Sequence, residues 1–170
     1  MNLFKLTGLY LLFHAGLAIA EAPRTLCTSQ EKVYFSCALH RKVVSLCATS
    51  QNSPTETYLQ YRIGKPGISS DIELPNENVK AKDFFRYNFQ SRSAKGSIFN
   101  ITFDSGDYNY TIYRFTHAFE GNSSGVAVKK QGKIVSYLKC DETSVIANFS
   151  DINAFSFAKN ESVEIVEGPE

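Results

Sequence analysis

Residues 96–116 (GSIFNITFDSGDYNYTIYRFT) constrain the fold of this chain more than any other stretch. Phe99, Ile101 and Phe103 alternate with Ile98, Asn100 and Thr102, the period-two pattern of a half-buried strand. A polar turn follows, Asp104-Ser105-Gly106-Asp107, and then Tyr108, Tyr110 and Ile112 share one face, with Asn109, Thr111 and Tyr113 on the other. Glycine takes the positive φ that tight hairpins demand, and Asp or Ser bonds the nearby backbone. The pattern predicts a mid-sheet hairpin that pushes its short turn, Asp104 to Asp107, into water, with Tyr108 directly after it.

The flanks set the compartment. Residues 1–20 read as a signal peptide: Lys5 is the positive start, an apolar run of about ten residues follows, and Ala18-Ile19-Ala20 fits the small-x-small cleavage rule. The run is short of the about 20 residues a bilayer-spanning helix needs. Leu26 before Cys27 is bulky where a lipidation signal needs a small residue, so Cys27 is read as a disulfide cysteine. Cleavage after Ala20 leaves 150 residues with 17 basic and 17 acidic side chains. That balance lacks the clustered basic excess of nucleic-acid binders. Export implies an oxidising environment, so Cys27, Cys37, Cys47 and Cys140 are expected in two disulfides. Three pairings satisfy the count, and each ties Cys140 to the N-terminal region. Without a Cys-x-x-Cys pair, a metal site is the weaker reading of the same cysteines.

Further strands are expected at residues 32–37 and 42–48, turned at Leu39-His40-Arg41, and at 58–63, 72–74, 84–90, 126–129, 134–140 and 154–157. Residues 50–55, 76–82, 91–96 and 119–125 read as loops from their polar composition, and 144–148 as a helical turn. The sum is an all-β domain over residues 21–158: a single antiparallel sandwich or partly closed barrel of about eight strands, stapled by disulfides. An acidic tail over 159–170 is expected to fray.

Catalytic chemistry finds little support. There is no Gly-x-Ser-x-Gly, no His-Glu-x-x-His and no phosphate-binding glycine loop; Gly64-Lys65-Pro66-Gly67 lacks the spacing and reads as a turn. His40 falls in a hairpin turn and His117 at a strand end. Asp104 and Asp107 flank the central turn as capping residues or as paired carboxylates, but two acids without an oxygen-rich loop make a thin calcium site. No cofactor or metal is expected. The phenylalanines Phe84, Phe85, Phe89, Phe99, Phe103 and Phe115 are assigned to the core. Tyr108 is assigned to the surface, because Asp107 and Asn109 beside it are polar.

The layout Cys37…Val-Ser-Leu-Cys47, Tyr58-Leu-Gln-Tyr-Arg-Ile-Gly64-Lys-Pro-Gly67, Gly125-Val-Ala-Val and Leu138-Lys-Cys140 resembles a group of small exported bacterial proteins. Ser105-Gly106-Asp107-Tyr108 is similar to the Ser-Gly-x-Tyr motif of periplasmic inhibitors of invertebrate-type (i-type) lysozyme. Inhibitors of the c-type enzyme use Ser-Gly-x-x-Tyr, and the residue at that offset here is Asn109. The resemblance implies a non-enzymatic protein, periplasmic or secreted, whose partner is a lysozyme. Ser105, Gly106, Asp107 and Tyr108 would enter its cleft, with rim contacts from Arg62, Lys65, Arg92 or Arg114. It also implies that a homodimer is open to the chain, with residues 84–90 as an exposed edge strand. The competing classes are an exported binding or structural module and an exported enzyme.

Overall fold

The structure, a computed structural model, describes residues 25–49, 58–77, 79–92, 95–149, 158–159 and 166. The expected signal peptide (1–20), the loop at 50–55 and the strand at 154–157 lie outside the described residues.

Two sheets pack face to face as a sandwich, open rather than closed into a barrel. The first contains β1 (Glu31–Ala38), β2 (Val43–Thr49), β3 (Tyr58–Gly64), β4 (Ser70–Leu74) and the two-residue β10 (Ile146–Ala147). Its order is β10-β1-β2-β3-β4. The second contains β5 (Arg86–Arg92), β6 (Gly96–Ser105), β7 (Tyr108–His117), β8 (Gly121–Lys130), β9 (Lys133–Lys139) and β11 (Ala158–Lys159), in the order β11-β5-β6-β7-β8-β9. All pairings are antiparallel except that of β11 with β5. The central hairpin therefore lies mid-sheet, as its composition demands. The core between the sheets takes Phe35, Leu46 and Tyr61 from the first and Phe99, Ile101, Phe103, Ile112 and Val126 from the second. Tyr61 meets Phe103 at 5.1 Å between ring centroids.

Several expectations need correction, among them the loop at 91–96, where Ser91 and Arg92 end β5 and Gly96 opens β6. Residues 121–125 are not a loop but the first half of β8, in register with β7 from His117↔Gly121 to Tyr113↔Gly125. Position 125 has no room for a side chain: a Cβ on Gly125 would lie 2.3 Å from the Leu138 carbonyl oxygen and 2.7 Å from the Tyr113 hydroxyl. The aromatic run at 84–90 begins as a helical turn (Ala81–Phe84) before β5, and Ala81, placed in an exposed connection, is buried. Phe89 is 49% exposed rather than core, the first of the four exposed residues that end β5. Residues 144–148 form a 3-10 turn (Glu142–Ser144) and then β10, not a longer helical turn.

The disulfides are Cys27–Cys47 and Cys37–Cys140, which account for all four cysteines. The second joins β1 to the end of β9 and so clamps one sheet to the other. The lead-in before β1 is held by Leu26, whose N–H is accepted by the buried Ser45 hydroxyl at 2.9 Å and whose carbonyl accepts from Arg62 at 3.1 Å. Among the described residues no helix is long and apolar enough to cross a membrane.

Candidate functional site

The β6–β7 ladder runs unbroken from Gly96↔His117 to Ser105↔Tyr108, leaving only Gly106 and Asp107 as the turn. Gly106 has φ 57° while Asp107 does not take a positive φ. This is the pattern of a two-residue type II′ hairpin, whose twist matches that of the strands it joins. The turn is consequently a rigid extension of the ladder. Ser105 and Tyr108 face each other across it as the last pair, and Gly106 and Asp107 stand exposed between them.

Tyr108 is 38% exposed, in keeping with its surface assignment, yet its ring is not free. On the far side of β7 it pairs with Lys130, whose ammonium sits 4.9 Å from the ring centroid. Lys130 ends β8 at a second two-residue turn, Gln131-Gly132, with φ 50° and 75°, the type I′ pattern. Two tight turns thus lie side by side at one end of the six-stranded sheet. Together they present Ser105, Gly106, Asp107, Tyr108, Lys130 and Lys133. Lys130 was not singled out by sequence reasoning. The pair Lys129-Lys130 before Gln131-Gly132 marks a basic hairpin arm, but its place beside Tyr108 follows only from the β7–β8 register.

Asp104, one residue before the turn, is committed elsewhere. It pairs with Arg86 and accepts a 2.8 Å hydrogen bond from the Asn109 side chain. Partial burial pulls its carboxyl upward, but the Asn109 and Arg86 hydrogen bonds and the Arg86 charge hold it below the usual aspartate value. Asp104 therefore braces β5, β6 and β7 just behind the tip rather than capping the turn. Among the described residues no three His, Cys, Asp or Glu side chains cluster as metal ligands.

The suggested rim cations do not gather at the tip. Arg62 is buried and forks onto Glu31 at 2.6 and 2.8 Å, and Arg114 binds Glu142 at 2.7 Å. Arg92 pairs with Gly96 at the far end of β6, and Lys65 lies in the β3–β4 turn of the other sheet. His117 packs along Phe115 and accepts the Glu120 N–H at 3.1 Å. His40 is an exposed residue of the β1–β2 turn. The edge of β5, offered as a dimer contact, is met by β11 at Arg86 and Tyr87.

Chemically, the tip offers two hydroxyls, one aromatic ring, the exposed Asp107 carboxylate and two ammonium groups on a preorganised frame. Comparison with known protein families, with curated proteins and with solved structures finds no match.

Proposed function

We propose that this chain is an exported inhibitor of a lysozyme, of the i-type, which inserts the Ser105–Tyr108 turn into the enzyme's active-site cleft. The observation that carries the reading is the turn itself: a Ser-Gly-x-Tyr motif at the tip of an unbroken antiparallel ladder, with Ser105 and Tyr108 as directly facing residues. Glycoside hydrolases flank the scissile bond with two carboxyl groups about 5–9.5 Å apart. One short and one long hydroxyl side chain, facing each other on adjacent strands, would supply one donor to each carboxyl group. Gly106, with nothing within 4 Å of where a Cβ would stand, lets the backbone approach the cleft floor. Lys130 and Lys133 add positive charge toward an acidic cleft, which favours encounter. The two disulfides suit a protein that works outside the reducing cytoplasm.

The test is a cell-wall lysis assay with lysozymes of the i, c and g types, with and without the purified mature chain. Inhibition of the i-type enzyme is expected, together with its loss in the double variant Ser105→Ala, Tyr108→Ala. A double variant that inhibits as well as the parent removes the turn from the mechanism. Inactivity against every lysozyme type favours an exported binding or structural module instead.

A further inference from the structure

The outer face of the six-stranded sheet, turned away from the first sheet, is buried along its centre. Asn88, Asn100, Tyr113 and Gly125 form one cross-strand row of it, and Arg86, Thr102, Thr111 and Ala127 the next. Asn88, Asn100, Thr102, Thr111, Tyr113 and Ala127 are all buried. The outer face of an antiparallel sandwich is ordinarily solvated, so a further layer must cover this one.

Val166 identifies that layer. With the Asn100 amide turned so that oxygen and nitrogen each meet a complementary group, its oxygen accepts the Val166 N–H at 3.0 Å and its nitrogen donates to the Val166 carbonyl at 3.2 Å. Asn100 has no exposed surface. Its amide reproduces the donor–acceptor pair that a neighbouring strand would present, so it reads backbone rather than side chain. The Val166 side chain, 4% exposed, packs with Tyr113 and Ala127 in a cluster separate from the main core. Period-two alternation along β8, and the pairing Gly125↔Lys139, put Lys129 and Lys139 on this same face. Residues 160–170 carry four glutamates, Glu161, Glu164, Glu167 and Glu170, and no lysine or arginine.

We propose that this face is a docking seat for a short acidic peptide with an apolar centre, and that its occupant is the chain's own segment 160–170. Asn100 grips the backbone at Val166, Tyr113 and Ala127 receive the side chain, and the lysines on this face of β8 and β9 supply charge opposite in sign to the segment's. The seat shares β6 and β7 with the turn but does not depend on the lysozyme reading.

The test uses the full chain carrying Val166→Asp, together with a synthetic peptide of residues 160–170. The variant is expected to melt lower than the parent by on the order of 5–10 °C. The free peptide should then bind the variant, raise its melting temperature, and bind less well as salt is added. The parent, its seat filled, should not bind the peptide, and a peptide carrying the same Val166→Asp change should bind neither chain. A folded variant that melts like the parent, or that ignores the peptide, overturns the proposal. Hydrogen exchange on the parent gives a reading that needs no variant: the Val166 amide should be protected, and exchange at the rate of a free chain also overturns it. Sedimentation of the parent should show a monomer. A dimer that Val166→Asp dissolves would reassign the occupant to a second copy's segment and overturn the own-chain assignment.

Discussion

The Lys130 ammonium stands 4.9 Å from the centroid of the Tyr108 ring, so the exposed tyrosine of the central hairpin is held by a cation from the neighbouring hairpin. Two turns that are 24 residues apart in sequence act as one tip. A contact of this kind at an exposed site contributes about 0.5–1 kcal/mol, enough to bias a ring that would otherwise sample several rotamers.

The tip separates into parts that substitution can resolve. Tyr108→Phe keeps the ring and its lysine but loses the hydroxyl, and should weaken lysozyme binding by about 10–150-fold, the cost of one charge-assisted hydrogen bond. Lys130→Ala keeps the hydroxyl and should cost only about 2–5-fold, with a slower association that responds less to salt. The double variant Ser105→Ala, Tyr108→Ala should lose about a thousandfold or more. Binding kinetics over a range of salt concentrations report all three. A Tyr108→Phe variant that binds as tightly as the parent would mean that the ring, not the hydroxyl, carries the contact.

Gly106 should tolerate side-chain volume but not side-chain stereochemistry. A Cβ there meets nothing within 4 Å, so the cost of Gly106→Ala is the left-handed backbone alone, about 1–2 kcal/mol. Gly106→Asn should cost less, because Asn visits that region more readily. Thermal melting checks the ranking, and an Ala variant as stable as the Asn variant would show that the turn relaxes to another type.

The disulfides should differ in weight. Cys37–Cys140 closes a loop with a separation of 103 residues and Cys27–Cys47 one of 20. The chain-entropy account assigns about 4.7 kcal/mol to a loop near 100 residues and about 3 kcal/mol to one near 15. Replacing each pair by serine and comparing urea midpoints should show the larger fall for Cys37–Cys140, which also holds the two sheets together. The reverse order would place the stabilisation in local packing around the Ser45 and Arg62 contacts of the N-terminal lead-in.

Acid should loosen that same lead-in. The Glu31 and Arg62 side chains are only 7% and 11% exposed. Burial raises the Glu31 carboxyl, but the hydrogen bonds and charge of Arg62 and the Thr28 N–H outweigh it and hold the group below its ordinary value. A folded value below the unfolded one, about 4.3, means this contribution is present above that pH and lost as pH falls below it. Glu31→Gln should therefore flatten the loss of stability between about pH 4 and more acidic conditions. Arg62→Met should cost about 3–5 kcal/mol at neutral pH, because it strands the Glu31 charge. Melting curves across pH test both, and an unchanged acid limb in Glu31→Gln would assign that limb to other carboxylates.

Much of the architecture was legible because it depends on residues close in sequence. The alternation of Phe99, Ile101 and Phe103 and the Gly106-Asp107 turn specify a hairpin whatever surrounds it. The same holds for β1 with β2 and for β8 with β9, each pair joined by a short turn. The sandwich follows from many such strands with no amphipathic helix to cover them.

What sequence alone determined, then, is local: which segments are extended, where the tightest turn stands, and that Ser105, Gly106, Asp107 and Tyr108 lie on it. Tertiary structure decided what depends on residues far apart. It chose Cys37–Cys140 from three possible pairings, and it brought Lys130 to Tyr108 through a register that polar residues 121–125 concealed. It also reversed the solvent exposure of one strand face. Ile98, Asn100 and Thr102 alternate as an outward, half-polar set, yet all three are buried, and Asn100 spends its amide on Val166, 66 positions away. A period of two shows that a strand has two faces, but what covers each face is set by chain that arrives from elsewhere.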